Sequence, residues 1–448
     1  MTNGRSDYLE SRRSSFALQA VILAAAGLFV RFIGFIYRVP LTRLIGDTGN
    51  GIYGTGFYIY NFFLIISSSG IPAAISKMVS ERNAMGRYKD AYKVFKVSLV
   101  ITAVTGTISM VVMFLGAEAF ANSLKMPKCY YTILTLAPTV FIVAIMSSFR
   151  GYFQGMKTTV PTAISQIVEQ IFNAVFSVWL AYLWFDKGIE YAAAGGTAGT
   201  GIGALAGLIF LIITYIAARP ALKRRSRRNS DGTQEENGKK IATQLIITSA
   251  TIIAGTAVMS VTNIIDMKMV MDRLLASGAY GVEEATALYG QLSGKFNTLT
   301  TLPIALSSAF ATATIPNISS AVALKDRKSV MHKINLALRM TMLVSIPAAV
   351  GMGVLAEPIM KLLYNEVSGG AELLKIGVLS IILLSLTQII TGILQAINRA
   401  YLPVISLALG AIVKIILNWF LIVNPKINVA GSVIFVLVSA SCFNTLTI

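Results

Sequence analysis

The stretch FALQAVILAAAGLFVRFIGFIYRVPLTRLI, residues 16–45, decides the reading of this chain. It is apolar over more than the roughly 20 residues a helix needs to span a bilayer, yet it carries Arg31 and Arg38. An arginine near a bilayer centre costs roughly 2.5–3.5 kcal/mol on insertion scales. The two lie seven residues apart, close to two helical turns, so both project from one face. That face is read as lining a cavity for a phosphate-like or carboxylate-like group. Arg38, just before Pro40 near the end of the span, admits a second reading in which it snorkels to the interface. Arg31 lies farther from either end, and the cavity is its favoured reading.

The rest of the chain has the same character. Of its 448 residues 55% are hydrophobic and only 13% charged, and the mean hydropathy is +0.70. Soluble domains carry about 25% charged residues. Apolar runs alternate with polar, often basic, loops, which predicts an all-α polytopic membrane protein and not a barrel. The first run is too long and too basic for a cleaved signal peptide. The net charge of +18 does not point to nucleic acid, because the lysines and arginines gather in alternate loops, as the positive-inside rule requires. Cys129 and Cys442 are far apart and His332 is the single histidine, so no metal site, disulfide framework or cofactor is expected.

About 12 transmembrane helices are predicted, at 16–42, 52–79, 92–116, 130–150, 161–184, 191–217, 242–268, 288–320, 334–356, 372–397, 402–423 and 429–448. The basic loops are the N-terminus and those after even-numbered helices, which predicts both ends in the cytoplasm. The basic run at 219–241 reads as a linker touching anionic lipid headgroups. It divides an N-terminal six-helix lobe, 1–218, from a C-terminal one, 242–448. Tyr53-Gly54 followed by Asn61 recurs as Tyr289-Gly290 followed by Asn297, and Ile71-Pro72 with Ser76 recurs as Ile315-Pro316 with Ser319. The shared order implies an internal repeat, an architecture of transporters whose site lies between the lobes.

Polar residues inside spans mark the candidate cavity. Gln166, Glu169, Gln170 and Asn173 follow the i, i+3, i+4, i+7 spacing and form one stripe on the fifth helix. Lipid does not tolerate such a stripe, so it faces a cavity or another helix. Lys295 in the eighth helix and Lys414 in the eleventh are further cavity candidates. Asp266 with Asn263 in the seventh is a candidate for ion coupling, though two oxygen ligands are few. Interhelical hydrogen bonds and ion pairs are the competing explanation for all of these. Gly199, Gly203 and Gly207 recur every four residues and read as small-residue helix packing, not a dinucleotide motif. Gly290 through Gly294-Lys295 is one residue short of a phosphate-binding loop and sits inside a span.

Arg31-Phe32-Ile33-Gly34, Arg38-Val39-Pro40-Leu41, Gly51-Ile52-Tyr53-Gly54, Ser69-Gly70-Ile71-Pro72, Phe149-Arg150-Gly151-Tyr152-Phe153-Gln154-Gly155 and Ser165-Gln166-Ile167-Val168-Glu169-Gln170 resemble the SpoVB-type polysaccharide transporters. These belong to the multidrug/oligosaccharidyl-lipid/polysaccharide exporter superfamily. The resemblance implies a MATE-like fold and, without enzymatic chemistry, flipping of an undecaprenyl-pyrophosphate-linked sugar such as a peptidoglycan precursor. It implies that Arg31, Arg38 and Lys295 occupy the helices that bear the binding cations of lipid II flippases. It makes wall-synthesis proteins candidate partners. The family usually has fourteen helices, which leaves its thirteenth and fourteenth absent here. Two rivals stand: a cation-coupled drug exporter, which predicts an acid in the first helix, and a non-transporting scaffold in wall or spore-cortex synthesis.

Overall fold

The computed structural model describes residues 3–228, 236–365, 369–397, 399, 401–424, 429–431 and 433. Nearly all of the predicted twelfth helix, 429–448, lies outside them, as does the side chain of Lys414. Among the described residues the chain is helical and contains no strand. The helices are α1 (Asn3–Leu64), α2 (Ile71–Ala84), α3 (Tyr88–Leu115), α4 (Ala117–Ser123), α5 (Tyr130–Gly155), α6 (Val160–Leu183), α7 (Ile189–Arg228), α8 (Gly238–Ala276), α9 (Val282–Gly290), α10 (Asn297–Ala323), α11 (Arg327–Val354), α12 (Ala356–Tyr364), α13 (Ala371–Ala396) and α14 (Tyr401–Leu421). Seven helical segments among the described residues are long and apolar enough to cross a membrane.

The break predicted between 42 and 52 is a one-residue reversal at Gly46, at φ 65° and ψ −170°, which joins two helices taken together here as α1. Only glycine adopts that conformation without strain. Asn50 brackets the break, donating to the Gly46 carbonyl at 2.7 Å and accepting from the Thr42 hydroxyl at 3.2 Å. The chain folds back there: the Arg38 guanidinium lies 3.9 Å from the centre of the Tyr53 ring. In an unbroken helix they would be about 22 Å apart along the axis. α7 also departs from the sequence reading, staying helical to Arg228 instead of ending at 217. The added residues, Ala221-Leu222-Lys223-Arg224-Arg225, are good helix formers outside any apolar requirement.

Exposed apolar side chains form a lipid-facing stripe. On α3, Val100, Val104, Ile108 and Val112 repeat every four residues and are each about half exposed or more. Trp179 on α6, Ile213 on α7 and Val350 on α11 extend this surface. Apolar surface on this scale requires an apolar solvent.

α6 and α7 make the tightest helix pair. A Cβ on Gly199 would collide with the backbone of Ser177, and one on Gly203 would sit 2.5 Å from the Glu169 carbonyl. The four-residue glycine spacing is thus a packing face, as its period implies. Gly199→Val is expected to part these helices and lower the stability of the purified protein by about 2 kcal/mol or more. A thermal-unfolding series against the control Gly27→Ala, where an added Cβ meets nothing within 4 Å, checks it; an unchanged midpoint would sink the packing account.

α8 ties the two halves of the chain together. It is about 58 Å long. Its start, through Ile241 and Leu245, is buried among Ile71, Ile75, Phe95 and Tyr152 of the first half. Its end, through Met271 and Leu274, joins a core containing Leu41, Ile52, Tyr289 and Leu374 from both halves. A clamp fixes the start: Glu236 accepts from Arg82, pairs with Arg87 at 2.9 Å, and donates its backbone N–H to Asp90 at 3.0 Å.

Candidate functional site

The halves meet along a seam where α1 just beyond Gly46 crosses α9 and the π-helical turn that follows it, Gln291–Phe296. A Cβ on Gly290 would fall on the Asp47 carbonyl, one on Gly51 on the Thr286 carbonyl, and one on Gly294 2.6 Å from the Asn50 side chain. Backbone therefore packs on backbone. Charges rim this contact. Lys295, almost fully buried, pairs with Asp47 at 2.8 Å; Lys125 pairs with Asp272 at 2.9 Å and Lys128 with Glu283 at 3.0 Å. Arg43 donates to the carbonyls of Leu362 and Leu363 at the end of α12, where the helix dipole favours a cation. Burial pushes the Tyr364 hydroxyl beside this group up to about 12, so it stays neutral.

Beyond the seam, toward the end bearing the Arg82–Glu236 clamp, the halves enclose two connected compartments. The first, about 320 Å³, is lined by Arg31 and Arg38 of α1 and by Asn297, Thr298 and Thr301 of α10. Arg31 spends one N–H on the Ala305 carbonyl, at 3.4 Å, and its guanidinium has further donors for a ligand. Arg38 stacks on Tyr53 and lines both compartments, without a carboxylate partner among the described residues. Its half-buried side chain is directed into the cavity and not along the helix to the interface.

The second compartment, about 490 Å³, holds the polar stripe of α6. Glu169 pairs with Arg150 of α5 at 2.7 Å, and Arg150 also donates to Ser165 at 3.1 Å. Arg150, the last residue of the span predicted at 130–150, lies inside α5, which continues to Gly155. Asn173 is a structural tie: it donates to Tyr37 and accepts from Ser177 at 2.8 Å and Thr200 at 3.2 Å. Gln170 faces the compartment, while Gln166 lies one turn away with its buried Oε1 unpartnered. The facing wall is Tyr53, Phe57, Tyr58, Tyr60 and Asn61. None of these was singled out as a site residue from sequence, although Tyr53, Phe57 and Tyr60 stand at i, i+4 and i+7.

Three sequence candidates fall elsewhere. Lys295 sits in the seam, flanked by cavity residues Ser293 and Asn297 but turned to Asp47. The near-match to a phosphate loop around it is the π-helical turn, closed against Asn50. Asp266 accepts from Asn418 of α14 at 2.7 Å, not from Asn263, which is exposed. No cluster of three or more metal-ligating side chains occurs among the described residues.

Comparison with known proteins places this arrangement. Residues 252–420 match the family described as MatE. The chain is 30% identical over 421 residues to "Stage V sporulation protein B" of Bacillus subtilis (strain 168), covering 94% of this chain and 80% of that one. It is 30% identical over 422 residues to "Lipid II flippase MurJ" of the same organism, covering 90% and 77%. Its fold resembles an inward-facing multidrug resistance MATE family transporter of the MOP superfamily (TM-score 0.77, 12% identity, 96% of both chains covered). It also resembles lipid II flippase MurJ in an inward closed conformation (TM-score 0.69, 15% identity, 95% and 86% covered). Residues 17–322 match the family described as polysaccharide biosynthesis protein, and with the relatives above this makes the chain a multi-pass membrane member of that family.

Proposed function

We propose that the protein is an alternating-access flippase for an undecaprenyl-pyrophosphate-linked oligosaccharide, of the peptidoglycan-precursor class, in the cytoplasmic membrane. The observation that carries this is the pair Arg31 and Arg38, lining a cavity between the two halves of the chain without a carboxylate partner among the described residues. Two guanidinium groups lining one cavity favour a dianionic ligand held by charge-assisted hydrogen bonds. The relative named as a lipid II flippase supports this substrate class.

In this reading the halves are six-helix lobes that rock about the site. Short helices in corresponding places, α4 after α3 and α12 after α11, support the repeat. Both ends face the cytoplasm, and the glycine seam closes the outer side. The basic residues at the opposite end, around Arg82 and Arg87, support that orientation. The pyrophosphate enters between Arg31 and Arg38, the seam parts, and the headgroup leaves on the other side. No bond is made or broken in the substrate. Asp266 with Asn418 is the remaining candidate for ion coupling.

A cation-coupled exporter of cationic drugs is the weaker reading. Among the described residues the one carboxylate lining the two compartments, Glu169, is neutralised by Arg150. The test is rescue of a strain depleted of its lipid II flippase, with membrane levels checked by blot. Wild type is expected to rescue. Arg31→Ala is expected to lose at least about tenfold in plating efficiency, while Arg31→Lys keeps part of it, because charge survives but the planar fork does not. Full rescue by Arg31→Ala at normal levels would remove Arg31 from the site, and failure of a well-expressed wild type would favour a scaffold.

A further inference from the structure

We propose that a crevice between α3 and α7, at the edge of the membrane-spanning zone, binds one anionic phospholipid of the phosphatidylglycerol type. The site lies outside the cavity and is independent of what the cavity carries.

The sequence sets its depth. From Val97 to Leu115 α3 carries no charge and spans about 28 Å, close to the roughly 30 Å of a bilayer's hydrocarbon core. Lys96 is the next residue outside that zone. α7 is uncharged from Tyr191 to Ala218, and Arg219 follows. Lys96 therefore stands at the phosphate level of one leaflet, the cytoplasmic one in the orientation proposed above.

Two tyrosines bring the cations together. The hydroxyls of Tyr92 on α3 and Tyr215 on α7 share a hydrogen bond of 3.0 Å, in front of the Phe95 ring. Two hydroxyls sharing one bond leave one O–H to donate elsewhere. Both helices pack on α5, α3 antiparallel to it and α7 parallel, as the Thr102–Ser148, Phe95–Tyr152 and Tyr191–Tyr131 contacts place them. α3 and α7 thus run in opposite directions. Helical side chains lean toward the N-terminus of their own helix. Lys96, one turn after Tyr92, leans back to it, with its ammonium 4.8 Å from the ring centre. Arg219, one turn after Tyr215, leans back to that residue, and its charge acts on the Tyr215 hydroxyl. The two cations converge on the tyrosine pair from opposite sides.

Nothing in the protein neutralises them. Neither has a carboxylate partner among the described residues, and the single acid of α3, Asp90, is turned inward to Arg87 at 2.8 Å. Lys89, exposed two turns before Lys96 on the same face, adds to the field. Toward the membrane interior, exposed Val100 and Val104 of α3 and Ile213 of α7 border the crevice. A phosphodiester bearing two acyl chains satisfies both parts at once: charge-assisted hydrogen bonds at the tyrosine level and apolar contact above it. A free phosphate satisfies only the first.

The test follows the melting temperature of the full chain in detergent. It is titrated with phosphatidylglycerol, with phosphatidylcholine of the same acyl chains, and with sodium phosphate. A ligand that binds only the folded state raises the midpoint. Phosphatidylglycerol is expected to raise it saturably, and the other two are not. Lys96→Gln and Arg219→Gln, each checked for a wild-type midpoint without lipid, are expected to need about tenfold more phosphatidylglycerol for the same shift, the worth of one charge-assisted hydrogen bond. Lys96→Arg keeps the response. Lys240→Gln, which removes a charge beside the Glu236 clamp and outside the crevice, responds as wild type. Equal shifts with phosphatidylcholine would reduce the lipid to an ordinary solvating one and overturn the proposal. An unchanged response in both glutamine variants would overturn it too, and would assign the effect to the basic surface as a whole. A shift with sodium phosphate at the same concentration would replace the lipid by a free anion.

Discussion

Gly290→Ala is expected to hold the seam open and abolish rescue of a flippase-depleted strain. The added Cβ would occupy the position of the Asp47 carbonyl oxygen, with the Gly51 nitrogen 2.8 Å away. Both are backbone atoms of α1 and neither can rotate aside. The helices must separate, and overpacking of this kind costs roughly 2 kcal/mol in the closed state, about a thirtyfold change in population. Thr286, buried in the seam, is the reporter. A cysteine there is expected to react with an impermeant maleimide added from outside only when Gly290 is replaced. Protection of that cysteine together with normal rescue would show that the seam yields without parting. A control at Gly278, where a Cβ would meet nothing but φ is 68°, separates backbone strain from collision.

The second large effect concerns the buried ion pair. Lys295→Met removes the cation that pairs with Asp47 at 2.8 Å, where the Asp47 side chain is only one-sixth exposed, at 16%. An uncompensated buried charge costs about 3–5 kcal/mol, whereas an isosteric apolar replacement of both partners is often neutral. The single variant is therefore expected to lose about 3 kcal/mol in the unfolding of detergent-purified protein. Adding Asp47→Asn is expected to recover most of it. If the two substitutions are simply additive, the pair is not coupled and the seam owes its closure to glycine contacts alone.

Much of the architecture was legible in the residues. Span length and apolarity predicted helices such as α3, α6 and α13 to within a few residues, because lipid enforces both properties at once. The break between 42 and 52 was legible from Gly46-Asp47-Thr48-Gly49-Asn50, but not its brevity, since the residues on both sides of Gly46 stay helical. The short α4 and α12 lack the length that marks a span. Within the cavity, Arg31 and Arg38 stood out because charge in an apolar run is conspicuous. Tyr53, Phe57 and Tyr60 did not, because aromatic residues at helical spacing are ordinary core. Lys295 was conspicuous for the same reason as the arginines, but sequence distance hid Asp47, its partner from the other half of the chain. Asp266 likewise found Asn418 across 152 residues, a pairing that no local spacing reveals.

The seam between α1 and α9 has a consequence for the energy economy of the membrane. It is sealed by peptide against peptide, at Gly290 on Asp47 and Gly51 on Thr286, and not by a plug of side chains. A space too small for a methyl group cannot hold a file of water molecules. At these two contacts there is then no hydrogen-bonded wire along which protons hop and no room for a hydrated ion. In the flippase proposed above, a headgroup could wait in the cavity while these contacts stay shut to protons.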